Sequence, residues 1–179
     1  ESFPDGESYA RPDSDVRGRD VFVIQSLHGI GRESVDTKIA KLEIFNNAAR
    51  LASAARITNV IPYHAYGRQD RKDKSRAPLS FQQLAIKLMD SGANRILSMD
   101  LHNPAVINAY TIPVDILNPT REVTDYLKER LRDVEKVVAL APDLGATERN
   151  DVLARALTKK LGREVDLAIH SFGHRIEST

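Results

Sequence analysis

Residues 57–63 read ITNVIPY, a short run of apolar and β-branched residues that stops at a proline. Such a run predicts a buried strand. A helical pattern precedes it over 35–55, where apolar residues recur at spacings of three and four. Ser80 begins a second helix on the other side of the strand, with Gln83 as its capping-box partner. A strand between two helices is the repeating unit of parallel α/β sheets.

The same alternation continues in both directions along the chain. Further strands are predicted at 21–26, 95–101, 112–117, 137–143 and 165–170, and further helices from residue 120 and around 153–161. The pattern predicts a three-layer α/β fold with a mostly parallel sheet. A break near residues 118–120 predicts two domains, 1–118 and 119–179, and we expect the second to be incomplete in this chain.

Composition excludes several classes of protein and site. The 179 residues carry 26 Lys and Arg against 25 Asp and Glu, a net charge of +1 that argues against a general nucleic-acid binder. The absence of cysteine excludes disulfides, thiolate metal sites and cysteine nucleophiles. No apolar run approaches the ~20 residues of a membrane span, and no signal pattern opens the sequence. We therefore expect a cytoplasmic protein without a membrane partner.

Polar side chains follow three of the predicted strands. The segment YGRQDRKDKSRAP (66–78) holds five cations, Asp100 and His102 follow 95–101, and Asp143 follows 137–143. Each has a plainer explanation by itself, as a solvated loop, a helix cap or a turn. Ligands of open α/β sheets bind beyond the carboxyl ends of the strands, arginine forks onto phosphate, and carboxylates hold hydrated Mg²⁺. Together these segments predict a site for phosphate and metal.

In their order along the chain, these segments resemble the ribose-phosphate pyrophosphokinase family, also called phosphoribosyl-pyrophosphate (PRPP) synthetases. The matching pieces are FPDGE (3–7), VRGRDVFVIQS (16–26), RITNVIPYHAYGRQDRK (56–72), RILSMDLHNP (95–104), IPVDIL (112–117) and APDLGA (141–146). The resemblance implies two related phosphoribosyltransferase-like domains. It also implies a Mg²⁺-dependent transferase of nucleotide biosynthesis that moves the pyrophosphoryl group of ATP to the 1-hydroxyl of ribose 5-phosphate, giving PRPP and AMP.

The resemblance also implies roles for individual residues. The ATP-binding positions are Phe3, Asp5, Glu7, Arg68, Gln69, Asp73 and His102. The positions associated with Mg²⁺ are Asp100, His102, Asp115 and Asp143. The catalytic positions are Arg68, His102 and Arg175. The expected partners are ATP, a ribose phosphate and further copies of the chain, in a hexamer built from dimers.

Three departures from the family pattern keep alternatives open. A Thr-Gly-Thr type loop for the sugar 5-phosphate is absent, and HSFGHRIEST (170–179) lacks the lysine that the family places on a mobile loop. Thr111 and Ala146 stand where the family often has Asp and Gly. One alternative is the same transfer to another ribose phosphate such as ADP-ribose, and a second is a non-catalytic regulatory subunit. A third, nucleic-acid binding by 66–78, is the one we do not expect.

Overall fold

Strands and helices alternate throughout the computed structural model of the chain, which describes residues 3–29, 31, 33–72 and 74–170. The predicted α/β class is confirmed, and every ladder between described strands is parallel. Contacts within the chain divide it into two compact units, unit 1 (Glu1–Leu117) and unit 2 (Asn118–Thr179). None of the helices in the described part of the chain is long and apolar enough to cross a membrane.

Unit 1 is built on a sheet of four parallel strands. In chain order they are β1 (Asp20–Ile24), β2 (Arg56–Ile61), β3 (Arg95–Met99) and β4 (Val114–Leu117), and they lie side by side in that order. Because all four strands run in the same direction, their carboxyl ends meet at one edge of the sheet. The segments that follow β2 and β3 therefore begin next to each other.

Two helices connect the first three strands, α1 (Val35–Leu51) and α2 (Ser80–Ser91). The side chain of Ser34 caps α1 by accepting a hydrogen bond of 3.1 Å from the backbone N–H of Thr37. The capping box predicted for Ser80 and Gln83 is wrong, because the residue at the N-cap of α2 is Leu79 and it makes no side-chain cap. Ser80 is already the first helical residue, so its hydroxyl is not in the capping position.

The core of unit 1 contains side chains from both helices and from the sheet. Its largest buried members include Leu42 of α1, Phe81 and Leu88 of α2, and Ile61 and Ile96 of the strands. These positions reproduce the apolar stripes of the helices and the alternation of the strands.

A polar link runs through this core. The amides of Asn46 on α1 and Asn59 on β2 are fully buried and exchange two hydrogen bonds of 2.9 and 2.7 Å. Asn46 also donates to the hydroxyl of Ser91 at the end of α2, at 3.0 Å. The three groups therefore join two helices and a central strand at one point.

Unit 2 has a smaller sheet and two helices. Its elements are β5 (Val138–Ala141) and β6 (Asp166–Ile169), which pair in parallel, and the helices α3 (Thr120–Arg130) and α4 (Thr147–Leu161). Ala139, Ala154, Leu157 and Val165 form its buried core. The side chain of Asn150 on α4 donates to the carbonyl of Ala139, which fixes the helix against the strand.

Candidate active site

The segments after β2 and β3 form one cluster at the carboxyl edge of the unit 1 sheet. Two of their residues have left-handed backbone conformations although neither is glycine: Tyr66 with φ 60° and Asp100 with φ 43°. Such conformations cost of order 1–3 kcal/mol and persist only where the surrounding structure fixes them. Asp100 is itself a predicted metal position, and Tyr66 lies two residues before the predicted ATP-binding residue Arg68.

Direct contacts join the two segments. Gly67 lies against His102, so closely that a Cβ added at residue 67 would come within 3.8 Å of the His102 Cβ. The side-chain amide of Asn103 donates a hydrogen bond of 2.9 Å to the Asp70 carboxylate. We call residues 67–70 and 100–103 together the strand-end site. The predicted residues Arg68, Gln69, Asp100 and His102 all belong to it, and all four are exposed.

The charge of Asp70 is stabilised within the strand-end site. The hydrogen bond from Asn103 lowers the pKa of the Asp70 carboxyl, and the charges of Arg71 and His102 act in the same direction. Asp70 therefore stays ionised at neutral pH and acts as the acceptor that holds the loop after β3. Arg68, two residues earlier, makes no ion pair with any residue in the described part of the chain.

A buried, neutral histidine precedes the strand-end site in the segment after β2. His64 is 7% exposed, and burial lowers its pKa to about 4. Its Nδ1 lies 2.9 Å from the carbonyl of Ala65, which can only accept, so Nδ1 carries the proton. The hydroxyl of Tyr110 then donates to Nε2 at 2.6 Å. The ring also lies 4.5 Å from that of Phe81 between centroids, which packs this pair into the core.

Tyr66 connects the strand-end site to α1. Its hydroxyl donates a hydrogen bond of 2.6 Å to the carboxylate of Asp36, in the first turn of that helix. This hydrogen bond raises the pKa of the Tyr66 hydroxyl, so the group remains protonated and continues to donate. The carbonyl of Tyr66 in turn accepts from the backbone N–H of Gln69 at 2.8 Å, closing a turn around Gly67 and Arg68.

The predicted ATP-binding residues of the first segment lie in a tight turn. The backbone N–H of Phe3 donates to the carbonyl of Glu7 at 2.8 Å, and the N–H of Glu7 donates to the Asp5 carboxylate at 3.1 Å. All three side chains are exposed. A groove of about 510 Å³ runs between this segment and α1, lined by Gly6, Glu7, Ser8, Asp36, Thr37, Ala40 and Ile44.

The structure gives the four predicted metal positions different surroundings. Asp100 and His102 lie one residue apart in the strand-end site. The carboxylate of Asp115 instead accepts a hydrogen bond of 2.6 Å from Arg95 Nε and forms an ion pair with that guanidinium. Asp143 lies in unit 2, where its side chain accepts from the backbone N–H of Ala146 at 2.9 Å. Both of these carboxylates therefore already have structural partners.

The donor set of the strand-end site suits one of the ways in which proteins hold Mg²⁺. Residues 3–29, 31, 33–72 and 74–170 contain no group of three or more His, Asp and Glu side chains arranged around one metal position. A metal site formed by three such side chains is therefore absent from those residues. Mg²⁺ usually keeps several waters and binds one or two carboxylates together with substrate phosphates. Asp100 with His102 fits that second mode.

Two predicted residues, Asp73 and Arg175, lie outside the described residues. Four others that shape the site were not singled out as site residues from the sequence: Asp36, His64, Tyr66 and Asn103. Asn103 carried a usable signal, because it follows His102 directly and precedes a proline. The pairing of Tyr66 with Asp36 carried none, since the two are 30 positions apart.

Comparison with known proteins supplies the family. Residues 1–92 match the family model for the N-terminal domain of ribose phosphate pyrophosphokinase. The ribose-phosphate pyrophosphokinase of Rhodopirellula baltica is 39% identical over 160 residues, which are 89% of this chain and 48% of that protein. The enzyme of the same name from Hyphomonas neptunium is 41% identical over 168 residues, 94% of this chain and 51% of its own length.

A solved structure shows the same fold. The crystal structure of phosphoribosylpyrophosphate synthetase from Mycobacterium smegmatis matches with a TM-score of 0.79 and 32% sequence identity, over 96% of this chain and 55% of that one. The chain thus spans about half the length of the curated relatives that it matches. The match over residues 1–92 agrees with the parallel sheet and with the sequence of the strand-end segments. The chain therefore belongs to the ribose-phosphate pyrophosphokinase family.

Proposed function

We propose that the protein containing this chain transfers the pyrophosphoryl group of ATP to the 1-hydroxyl of ribose 5-phosphate, giving PRPP and AMP. The observation that carries the proposal is the strand-end site, where the Arg68–Gln69 turn lies against the loop of Asp100 and His102. That juxtaposition brings phosphate-binding and metal-binding residue types together at the sheet edge where α/β proteins bind their ligands.

The reaction is an in-line displacement. The oxygen of the 1-hydroxyl attacks the β-phosphorus of ATP, the bond from that phosphorus to the oxygen bridging to the α-phosphate breaks, and AMP leaves. The hydroxyl proton is released to solvent. Little covalent chemistry is required of the protein in such a transfer, because catalysis depends mainly on positioning and charge stabilisation. This agrees with a chain that has no cysteine.

Arg68 has the chemistry for the triphosphate. A guanidinium presents forked N–H donors that match phosphate oxygens. Arg68 forms no ion pair with any of the described residues. Gln69 and His102 supply further donors beside it, while Phe3, Asp5 and Glu7 are proposed to contact the adenine side of ATP. Phe3 is about half exposed, and its ring meets that of Tyr9 at an angle of 62°.

Asp100 and His102 are the residues that would hold Mg²⁺ in this chain. When bound there, Mg²⁺ would neutralise phosphate oxygens of ATP. Asp115 would first have to leave or share its ion pair with Arg95, and Asp143 its cap on Ala146. The proposal also includes a cytoplasmic location and a homo-oligomeric assembly, a hexamer built from dimers.

An AMP-release assay on the full-length protein tests this function. Mg·ATP is supplied with ribose 5-phosphate, with ADP-ribose or with no acceptor, beside the variants Arg68→Ala and Lys74→Ala. Lys74 is the matched control, an exposed cation of the same loop. We expect AMP release only when ribose 5-phosphate is the acceptor. In Arg68→Ala, kcat/KM should fall by about 10²-fold or more, and in Lys74→Ala it should change little.

Each other outcome would assign a different function. AMP formed only with ADP-ribose would keep the mechanism and change the acceptor. A folded oligomer that releases no AMP with any acceptor would contradict the proposal and favour a non-catalytic regulatory subunit. Equal loss in both variants would show that the loop acts through its overall charge and would remove the specific role of Arg68.

A further inference from the structure

The Arg68–Gln69 turn is attached to the rest of unit 1 through the residue that precedes it. Tyr66 adopts a left-handed backbone conformation, with φ 60°, which is uncommon for a bulky side chain. Its ring packs partly buried against the unit 1 core, and its hydroxyl donates to Asp36 Oδ1 at 2.6 Å. The turn that follows is closed by the Gln69 N–H on the Tyr66 carbonyl.

The acceptor of this hydrogen bond lies on a rigid element. Asp36 is in the first turn of α1, beside the cap that Ser34 places on Thr37. Further along the same helix, the buried amide of Asn46 fixes α1 to the sheet. A negative charge in the first turn is also favoured by the helix dipole. The Tyr66 hydroxyl is therefore held by a group whose own position is determined by the fold.

Asp36 also borders a groove that a second segment lines. It lines the groove between α1 and residues 6–8, which belong to the first predicted ATP-binding segment and its continuation. One carboxylate thus lies beside both segments that the proposed function assigns to ATP. The hydrogen bond and the groove are separate observations on the same residue.

We propose that the Tyr66–Asp36 hydrogen bond is a positioning device for ATP, which holds the Arg68–Gln69 turn in its binding conformation. This inference rests on the proposed function, because it assigns a role to residues behind the ATP site. Tyr66 is a positioning residue that acts through the backbone of the turn. Without its hydroxyl, the turn would sample other conformations, and the ordering of the loop would then oppose ATP binding.

A purely structural role would have a different signature. If the hydrogen bond only stabilised the fold, its loss would lower the melting temperature and leave the affinity of the folded protein for ATP unchanged. A positioning role lowers ATP affinity in protein that is fully folded. It also makes the two partners non-additive, because removing either one abolishes the same interaction.

The test uses the full-length protein with Tyr66→Phe, Asp36→Ala and the double variant. Tyr63→Phe is the matched control, a tyrosine of the same connection whose ring is 56% exposed. The Kd for ATP is measured by calorimetry, KM for ribose 5-phosphate and kcat by AMP release, and stability by thermal unfolding. We expect each single variant and the double variant to weaken ATP binding by about the same factor, roughly tenfold. Tyr63→Phe should bind ATP as the wild type does.

The outcomes separate this inference from the function on which it rests. Wild-type affinity for ATP in Tyr66→Phe, with or without a lower melting temperature, would overturn the positioning role and leave the proposed function standing. Additive losses in the double variant would also overturn it. Failure of the wild-type protein itself to bind ATP would overturn the proposed function, and the inference with it.

Discussion

At the scale of single residues, His64 shows how burial sets a charge state. The ring is held by Tyr110 on one nitrogen and by the carbonyl of Ala65 on the other, and it packs on Phe81. Its pKa is about 4 in the folded chain, against the ordinary value of 6.5. The folded state therefore keeps His64 neutral at pH values where the unfolded chain has already taken up a proton.

This difference predicts how stability depends on pH. Between pH 6.5 and pH 4 the unfolded state binds more protons at His64, so the free energy of unfolding should fall as the pH falls. The loss through this one group is on the order of 3 kcal/mol. Urea unfolding at several pH values should show a shallower slope in His64→Gln than in the wild type. Tyr110→Phe leaves the His64 ring buried and should therefore keep the wild-type dependence of unfolding free energy on pH. An unchanged slope in His64→Gln would contradict this account.

At the scale of elements, the Asn46–Asn59 pair joins α1 to β2. Both amides are fully buried and each satisfies the other. Replacing one by leucine removes both hydrogen bonds of the pair and leaves buried polar atoms of the partner amide unsatisfied, which costs about 1–3 kcal/mol. Replacing both removes the unsatisfied group along with its partner.

A double-mutant cycle checks this link by chemical unfolding. Asn46→Leu and Asn59→Leu should each lower the free energy of unfolding by about 1–3 kcal/mol. The double variant should be less destabilised than the sum of the two single variants. Strict additivity would mean that the pair does not act as one unit. Asn150→Leu is a useful reference, because its amide donates to a backbone carbonyl within unit 2 and not to a member of this pair.

The elements themselves were largely predictable from sequence. Alternation of β-branched runs with apolar stripes at helical spacing predicts the order of strands and helices, and the end of the third predicted strand indicates Asp100 and His102. The predicted capping box at Ser80 is wrong by one position. A capping box needs the serine at the N-cap, whereas Ser80 is the first helical residue and Leu79 is the N-cap. Helix boundaries are decided by backbone geometry that a four-residue pattern does not determine.

The pairings within the site were not predictable in the same way. Tyr66 with Asp36, Asn103 with Asp70 and Arg95 with Asp115 are separated by 30, 33 and 20 positions. Such contacts depend on strand register and on the path of the loops, which residue spacing does not report. For that reason the sequence assigned Asp115 only a metal role by resemblance, whereas the fold gives it an ion pair.

At the scale of the whole molecule, unit 1 contains the strand-end site and the first predicted ATP-binding segment, and unit 2 contains Asp143. The chain spans 48 to 51% of the lengths of the relatives compared above. The family membership supports a ribose phosphate as the acceptor, and the strand-end site supports ATP as the donor.

The most direct test of the central claim follows the γ-phosphate of ATP. The full-length protein is incubated with Mg²⁺, ribose 5-phosphate and ATP labelled at the γ-phosphorus, and the products are separated. The account predicts that the label moves to the sugar within a pyrophosphoryl group while adenine leaves as unlabelled AMP, and that chelation of Mg²⁺ abolishes the transfer. Formation of ADP with a sugar product that has gained a single phosphoryl group at the 1-position, or label that never reaches the sugar, would contradict it.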